Sequence, residues 1–548
     1  MKEMGEGSLE LGFRVRELTP TSAALALNPN LNLSSGLCAL ASTVFLALTV
    51  ASPPGSHSAE PFRPHYHFTP ERNWINDPNG LVFFRGEYHL FFQHNPFGDK
   101  WGHMSWGHAV SRDLVNWDEL PIALPEADGL MIFSGSTVVD WRNTSGFGKD
   151  RQPPLVAIYT ASRMADGRQA QCIASSTDRG RSWSKFPGNP VLDLASNNFR
   201  DPKVFWFEPA QRWIMVVSKA EERRIQFYGS RNLKQWTRLS EFGPAGSTNG
   251  VWECPDLFPL PIEGRPHQSA WVLVVNVGSG SPAGGSGTQY FVGEFDGQQF
   301  KNEKPPSTPG DALWADYGRD CYAAVSWSDI PKADNRRIWL GWMSNWEYAQ
   351  DVPTAPWRNA MTIPRELSLR ETIGGLHMIQ KPAREPQRLR GRHYAFKGGT
   401  NAQANQWLGK ANIISDSLEM FLELEPARSG QCGARVLKGP EEETILGFDE
   451  VASRVFVDRT HSGNTLFHKA FPGIHHAQTR MHDGRLTLHA FIDACSVECF
   501  VNGGEVVFSD LVFPSQPSRQ LELFARASDA SVHSLEVWTL KQAFRWHE

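Results

Sequence analysis

The stretch SRDLVNW (111–117) recurs in altered form as STDRGRSW (176–183) and SRNLKQW (230–236). Each copy places Asp or Asn in a predicted turn, and its Trp begins a new predicted strand. Short apolar runs separated by Gly, Asn, Asp and Pro surround the copies from about residue 65 to 365. A period of roughly 50 to 65 residues with four strands is typical of a β-propeller blade. The repeat therefore predicts an all-β domain of five blades; a β-sandwich with Trp spaced by chance is the alternative.

A second all-β region is predicted after the repeats. The polar stretch 371–392 indicates a linker between a five-bladed β-propeller over residues 61–370 and a further domain over residues 393–548. In that domain short strands such as RLTLHAFID alternate with turns, and Asn502-Gly503 is a hairpin signal. We expect a C-terminal β-sandwich there.

The composition limits the classes of partner. The 548 residues carry a net charge of −5, with 40% hydrophobic and 21% charged residues, as in ordinary globular proteins. No basic run or stripe predicts a nucleic-acid partner. The 20 Trp residues exceed the usual share, and sugar-binding clefts use Trp because its flat apolar face stacks on a sugar ring.

The N-terminal extension, residues 1–60, resembles a secretory segment. LCALASTVFLALTVA (37–51) has the length of a signal-peptide apolar region and is shorter than the roughly 20 residues of a membrane span. We expect a secreted or periplasmic protein without a stable membrane partner; anchoring by an uncleaved N-terminal segment is the alternative. Cys38 would leave with this segment, and the other six cysteines form no CxxC pair, so neither a zinc site nor a disulfide framework is predicted. One or two single bridges are the alternative.

Three acidic residues share one sequence context. Asp77 in WINDPNG, Asp201 in NNFRDPKVFWF and Glu253 in VWECPDLFPL each stand just before Pro or Cys-Pro and an apolar run. Taken singly, each is most simply a turn. Their spacings match whole blade repeats, however, and equivalent positions of different blades converge on a propeller axis. Three carboxylates in one pocket raise at least one pKa.

Glycoside cleavage is a reaction that uses such a group of acids. One carboxylate acts as nucleophile and one protonated carboxyl as general acid, about 5 to 5.5 Å apart when configuration is retained. Calcium binding is the structural alternative, but it usually recruits carbonyl and Asn oxygens from one loop. The sequence contains no such loop pattern, so no metal site is predicted.

Several ordered blocks resemble glycoside hydrolase family 32, the invertases, inulinases and levanases that act on β-fructofuranosides. They are WINDPNG, FSGS (133–136), FRDP (199–202), WECPDLF (252–258), DYGRDCYAAVSW and GWMSNWEY. The resemblance runs from about residue 62 to the C-terminus, where SVECFVNGGE matches the sandwich domain of the family. It implies a five-bladed propeller joined to a β-sandwich, and a retaining mechanism that needs neither metal nor cofactor.

The resemblance also implies residue roles. Asp77 would be the nucleophile that forms a covalent fructosyl-enzyme, Glu253 the general acid and then base, and Asp201 the stabiliser of the transition state. Further substrate-binding candidates by resemblance are Asn76, Gln93, Trp101, Phe133, Ser134, Arg200, Asp320 and Trp342. For Trp101 and Phe133 taken singly, core packing is the alternative. Arg200 would keep Asp201 ionised.

The predicted activity is release of terminal fructose from levan, inulin or sucrose, which are the expected partners. A fructosyltransferase, in which a sugar hydroxyl replaces water, is one alternative. A non-catalytic fructan-binding protein on the same fold is another, as is a related five-bladed enzyme acting on arabinans or xylans. WINDPNG and WECPDLF argue against the last of these. The oligomeric state is not predicted.

Overall fold

The computed structural model describes residues 60–303, 312–426, 429–515, 519–526 and 530–543. The apolar segment 37–51 and Cys38 lie outside these ranges. Within them the chain is built almost wholly of strands, with one α-helix, α1 (Asn401–Ala411), and two short 3-10 helices, Glu208–Ala210 and Glu385–Leu389. None of the helices in the described ranges has the length and apolar character needed to cross a bilayer. The all-β prediction is confirmed.

The described residues between 73 and 382 form five sheets. Sheet 1 starts with β1 (Asn73–Phe84), β2 (Glu87–Asn95), β3 (Ser105–Ser111) and β4 (Trp117–Leu124). Sheet 2 contains β5 (Leu130–Val139), β6 (Leu155–Arg163), β7 (Gln169–Ser176), β8 (Ser184–Lys185) and β9 (Leu192–Ser196). Sheet 3 contains β10 (Phe199–Phe207), β11 (Arg212–Lys219), β12 (Arg224–Ser230) and β13 (Thr237–Phe242).

Sheet 4 contains β14 (Trp252–Pro261), β15 (Ser269–Val277), β16 (Gly287–Phe295), β17 (Phe300–Asn302) and β18 (Leu313–Trp314). The next strands are β19 (Tyr322–Ser326), β20 (Arg337–Met343), β21 (Trp357–Arg358), β22 (Ala360–Met361), β23 (Arg365–Thr372) and β24 (Gly375–Pro382). All of these belong to sheet 5 except β21, which pairs in parallel with β1. Each sheet has an antiparallel path of four strands, β19-β20-β23-β24 in sheet 5.

The first strands of the five sheets form a closed ring. In chain order β1 contacts β5, β5 contacts β10, β10 contacts β14, β14 contacts β19, and β19 returns to β1. A buried apolar cluster fills the space between each pair of neighbouring sheets, including the pair formed by sheets 5 and 1. The ring therefore surrounds one axis, and the cores lie between the sheets rather than on that axis.

The repeated sequence has a local structural cause. In its first copy, Asp113 Oδ1 accepts hydrogen bonds from the backbone N–H groups of Val115 and Asn116, at 3.1 and 2.8 Å. Asp178 and Asn232 make the same type of turn in the other two copies. Each copy joins the third strand of its sheet to the fourth. Backbone N–H groups in these turns have no neighbouring strand to bind, and the side-chain oxygen of Asp or Asn accepts their hydrogen bonds instead. This explains why Asp or Asn recurs at this position.

The C-terminal region forms two further sheets. Its strands are β25 (Arg390–Phe396), β26 (Gly399–Thr400), β27 (Leu418–Glu425), β28 (Gln431–Lys438), β29 (Glu443–Asp449), β30 (Arg454–His461), β31 (Ile474–Gln478), β32 (Leu486–Asp493), β33 (Ser496–Val501), β34 (Val506–Leu511), β35 (Gln520–Arg526) and β36 (Ser531–Leu540). One sheet has the order β25-β36-β27-β32-β33-β34, and the other β31-β30-β29-β28-β35. A large apolar cluster drawn from both sheets lies between them, as expected for a sandwich.

The stretch predicted as a linker, residues 371–392, has a different structure. Most of it consists of β24, the second 3-10 helix and the beginning of β25. The strand β24 pairs along its full length with β23, and Met378, Ile379 and Gln380 are buried. The polar composition misled the prediction because β24, the outermost strand of its sheet, carries polar side chains that are exposed, such as Lys381, and buried, such as Gln380.

Buried charges join the sandwich to the sheets around the axis. Arg365 of β23 binds Glu498 of β33, and it also binds Asp316 at 3.0 Å. His67 lies between Asp493 and Glu498, with ring nitrogens 2.7 and 2.8 Å from their carboxylate oxygens. Burial alone would lower the pKa of His67, but the two carboxylates outweigh it and raise this pKa to about 9.

Candidate active site

A small cavity lies at one end of the ring of first strands, where three of the predicted acids meet. Its volume is about 130 Å³. It is lined by Asn76, Asp77, Gln93, Trp101, Phe133, Ser134, Arg200, Asp201, Glu253 and Trp346. The structure thus brings together all three predicted acids and six of the eight further candidates.

The acids lie within strands rather than in turns. Asp77 is inside β1, and the pairing of β1 with β2 shifts its register between Asn76 and Pro78. The pairings of β10 and β14 shift in the same way beside Asp201 and Glu253. Such β-bulges leave one ladder position unpaired, which suits Pro because it has no N–H to donate. The turn interpretation of the Asp-Pro pairs is therefore wrong, and the bulges aim the side chains at the axis.

Asp77 is buried and only partly satisfied. Its Oδ2 accepts a hydrogen bond from Ser134 Oγ at 2.7 Å, and Cys254 Sγ lies 3.5 Å from the same oxygen. Its Oδ1 has no hydrogen-bond partner among the described residues. Burial raises the pKa of Asp77 and the charge of Glu253 adds to this, whereas the hydrogen bond from Ser134 opposes it. The oxygen Oδ1 is left without a protein bond in the cavity.

Glu253 is held from both sides and remains partly accessible. Arg200 Nε donates to Glu253 Oε1 at 2.9 Å, and the Tyr322 hydroxyl donates to Oε2 at 2.5 Å. The side chain of Glu253 is 21% exposed, against 6% for Asp201. The Glu253 carboxyl is therefore both fixed in orientation and accessible to solvent.

Asp201 has the most perturbed environment. Its Oδ2 accepts a hydrogen bond from the backbone N–H of Cys254 at 3.0 Å, and its own N–H donates to Thr160 Oγ1 at 3.0 Å. Burial raises its pKa, Arg200 lowers it, and Glu253 and Asp77 raise it further, to about 7. Glu253 and Asp77 thus act on the pKa of Asp201 in the direction that the sequence predicts.

Arg200 forms its close ion pair with Glu253 and not with Asp201, its predicted partner. Its guanidinium is 2.9 Å from Glu253 but 4.0 Å from Asp201. The sequence placed it beside Asp201 because the two are neighbours in the chain. In the strand, successive side chains point in different directions, and the bulge turns Arg200 towards Glu253.

Aromatic and amide side chains form the cavity walls. Trp101 is 40% exposed and meets Phe133 edge to face, with ring centroids 6.1 Å apart. Trp346 stacks on Trp74, with centroids also 6.1 Å apart. Gln93 is fixed by a 2.7 Å hydrogen bond from its Nε2 to Asn79 Oδ1. The walls combine apolar ring faces with amide groups, a lining that suits a polyhydroxylated ring.

Two predicted residues lie elsewhere. Asp320 is fully buried and binds Arg459 of the sandwich and the Tyr348 hydroxyl, both at 2.6 Å. Trp342 is also fully buried and packs against Trp346, with ring centroids 4.8 Å apart. Both predictions are corrected: Asp320 fixes the sandwich to the ring, and Trp342 supports the wall from behind.

Trp346 is the lining residue that the sequence prediction missed. It lies three residues past the end of β20, in the same GWMSNWEY block that drew attention to Trp342. The spacing of four residues placed both in one block, but only the end of the strand decides which ring turns to the axis.

The described residues provide no obvious metal site. Among them, no group of three or more His, Cys, Asp or Glu has the geometry to hold a metal ion. Their six cysteines are all buried and unpaired. The cavity and the residues that touch its lining carry three carboxylates, one guanidinium and one phenol.

Comparison with known proteins identifies the family. Residues 67–382 match the family model for the glycosyl hydrolases family 32 N-terminal domain, and residues 385–539 match that for the family 32 C-terminal region. The chain is 49% identical over 504 residues to a levanase of Bacillus subtilis, covering 91% of this chain and 73% of the relative. It is 39% identical over 489 residues to an extracellular exo-inulinase of Aspergillus ficuum, covering 83% and 90%.

Solved structures agree with these matches. The fold is similar to that of exo-inulinase from Aspergillus awamori, with a TM-score of 0.82, 35% identity and coverage of 89% of this chain and 99% of that one. It is also similar to a fructofuranosidase from Schwanniomyces occidentalis complexed with fructose, with a TM-score of 0.79, 33% identity and coverage of 88% and 99%. The chain is a glycosidase that belongs to glycoside hydrolase family 32.

Proposed function

We propose that this protein releases terminal fructose from β-fructofuranosides by a retaining mechanism, with Asp77, Glu253 and Asp201 as its catalytic residues. The observation that carries the proposal is the meeting of these three carboxylates in one cavity of about 130 Å³. The levanase and exo-inulinase relatives support fructans as the substrate class. The exo-inulinase relatives support an exo action.

In the first step Asp77 attacks the substrate. Its Oδ1, which has no protein hydrogen bond among the described residues, forms a bond to C2 of the terminal fructose. The bond from C2 to the glycosidic oxygen breaks, and Glu253 gives its proton to that oxygen. The products are a covalent fructosyl-enzyme, an ionised Glu253 and the shortened chain or glucose.

In the second step Glu253 acts as a base. Its carboxylate takes a proton from a water molecule, whose oxygen bonds to C2 while the C2–Oδ1 bond breaks. Fructose leaves and both acids return to their starting states. The 21% exposure of the Glu253 side chain suits this role, because the water must reach it.

Asp201 makes no bond to carbon in this mechanism. Ionised, it accepts hydrogen bonds from fructose hydroxyls and stabilises the positive charge that develops at C2. Its backbone is fixed at the bulge by Thr160, and its Oδ2 by Cys254. The carboxylate is thus preorganised, which limits the reorganisation that the transition state requires.

We also infer that the five sheets are the blades of a five-bladed β-propeller. The four-stranded paths and the closed ring of first strands support this count. The sandwich then begins near Glu385, at the start of the second family match.

We also propose that the protein is exported from the cell. The exo-inulinase relatives named as extracellular support this localisation, and residues 37–51 would be the export signal.

Product analysis tests the proposal. The full chain is incubated separately with sucrose, inulin and levan, and the sugars are separated by chromatography. Free fructose from the start, absent with Asp77→Asn, is the expected result. Short oligosaccharides appearing first would show endo action, and longer ones from sucrose would show fructosyl transfer. No product from any substrate would overturn the hydrolase assignment in favour of a binding protein.

A further inference from the structure

A second and larger cavity lies at the opposite ends of the first strands. Its volume is about 940 Å³. It includes Val139 at the end of β5 and Phe205 in β10, four residues beyond Asp201. At roughly 3.3 Å per residue, those four residues separate the two positions by about 13 Å. The cavity thus opens at the other mouth of the ring from the proposed active site.

A buried ion pair separates the two cavities. Lys203 Nζ lies 3.1 Å from Asp256 Oδ2 and donates to the carbonyl oxygen of Ser326 at 2.5 Å. The void next to Lys203 on the active-site side measures only about 10 Å³, about enough for one water molecule. A sugar in one cavity therefore cannot reach the other, and the second cavity is a separate site.

The charges around this second cavity largely cancel. Arg142 pairs with Glu208 at 2.8 Å, and Arg337 lies where the charge of Asp329 acts on it. Lys332 makes no ion pair among the described residues. Four cations, Arg142, Lys203, Lys332 and Arg337, stand against three acids, Glu208, Asp256 and Asp329, in this lining, so no carboxylate is left over to select a cationic ligand. Neutral ligands with many hydroxyls fit it better, because paired charges still donate and accept hydrogen bonds.

Aromatic rings supply the apolar part of the lining. They are Trp141, Phe205, Trp206, Phe207, Trp271 and Phe295. Most of them also cover the cores between sheets. A cavity of roughly 300 to 1,000 Å³ with aromatic walls and a few polar groups is the usual form of a ligand site.

Trp141 is the most exposed ring of this lining, and it packs on Phe84 with ring centroids 5.8 Å apart. It is 59% exposed, yet its orientation is fixed by a 2.9 Å hydrogen bond from its Nε1 to Asp329 Oδ1. Asp329 in turn accepts the backbone N–H of Val139 at 3.1 Å. A large ring held rigidly with one face in water is a platform on which a sugar stacks with little loss of side-chain entropy.

We propose that this cavity is a non-catalytic binding site for an internal segment of a neutral fructan chain. Trp141 stacks on one sugar ring, and the paired charges bond to hydroxyls. The inference rests on the proposed function, since a fructan is the polymer that the active site would shorten. A chain held at the second mouth keeps its free end near the enzyme between cuts, which lowers the KM for polymers and leaves sucrose kinetics unchanged.

Affinity electrophoresis tests the site. Full-length Asp77→Asn protein is run in native gels containing levan or inulin, with excess fructose present to occupy the active-site cavity. Retardation is expected, and Trp141→Ala in the same background should weaken it at least threefold. Trp141→Phe, which keeps a ring but loses the bond to Asp329, should give an intermediate result. Ile373→Ala removes an 88%-exposed side chain from a distant turn and serves as the matched control.

Kinetics provide the second arm. In the otherwise native chain, Trp141→Ala should raise the KM for levan or inulin at least threefold and leave kcat/KM for sucrose unchanged. The binding site would be overturned if Trp141→Ala and its parent protein were retarded equally by the fructan and had the same KM for it. It would also be overturned if dextran retarded the parent protein as strongly as the fructan does. If the native protein itself showed no activity on sucrose or on either fructan, the proposed function would be overturned. The gel retardation would still show whether the second cavity binds fructan.

Discussion

The Tyr322 hydroxyl donates a 2.5 Å hydrogen bond to Glu253 Oε2 while Arg200 holds Oε1. Burial raises the pKa of Tyr322, and the neighbouring charge of Glu253 adds to it. The phenol therefore stays protonated at neutral pH and remains a donor through the catalytic cycle. This bond is strongest when Glu253 is ionised, as it is after protonating the leaving group.

Replacing Tyr322 with Phe should slow turnover. Loss of one hydrogen bond to a charged group is worth about 1.5 to 3 kcal/mol, so we expect kcat on sucrose to fall about 10- to 100-fold with little change in KM. Tyr228→Phe, whose hydroxyl binds Gln226 in sheet 3, is the control, and equal losses in both variants would contradict the role of Tyr322.

Trapping the covalent intermediate should identify Asp77. In Glu253→Gln the general base is missing, and turnover of sucrose should fall by about 10² to 10⁴. With fructosyl fluoride the leaving group needs little protonation, so the fructosyl-enzyme forms and accumulates. Peptide mass spectrometry should then find one fructosyl unit on the peptide containing Asp77. Glu221→Gln, a change on the surface, should neither slow turnover nor accumulate the adduct, and an adduct on any other acid would refute the assignment.

Asp201 should make the enzyme less stable as the pH rises. Its pKa is about 7 in the folded protein against 3.8 ordinarily, so between these values the folded state binds a proton that the unfolded state does not. Stability therefore declines as pH increases through this window. Asp201→Asn should remove the decline: Tm should exceed that of the native protein at pH 8 and match it near pH 4. The surface change Asp118→Asn is the control for loss of a carboxylate as such. A lower Tm for Asp201→Asn than for the native protein at pH 8 would contradict the prediction.

The convergence of the acids could be predicted because it depends on sequence periodicity. Asp77, Asp201 and Glu253 stand at equivalent places of repeating units, and the Asp or Asn turns that mark those units are local. The bulges could not be predicted, since a register shift depends on the facing strand: Asn76 pairs with Gln93, but Pro78 pairs with Phe92. The sequence around Asp77 alone therefore indicated a turn.

An ion pair between residues far apart in the chain explains why Asp320 was wrongly predicted to bind substrate. Asp320 lies in a family-like block, but its partner Arg459 is 139 residues away in the sandwich. No local pattern connects the two, and a buried Asp that fixes a domain looks like a binding Asp in the sequence. The same holds for His67 and Asp493, which are 426 residues apart.

His67 should make the joint between sandwich and propeller sensitive to pH. Its pKa is about 9 in the folded protein against 6.5 ordinarily, so the imidazolium stabilises the fold fully below pH 6.5. That contribution, about 3 kcal/mol from the size of the shift, is lost as pH rises through 9. Native protein should therefore lose more unfolding free energy between pH 6.5 and 9.5 than His67→Asn does.

Denaturant unfolding at these two pH values measures the effect. At pH 6.5 His67→Asn should be the less stable protein, because Asp493 and Glu498 remain buried without their cation, and the difference should shrink towards pH 9.5. His103→Asn, which removes a histidine from an exposed pair with Glu126, is the control for loss of a histidine as such. Parallel stability curves for the native protein and His67→Asn would show that His67 is neutral between its two carboxylates, and that Arg365 alone balances Glu498.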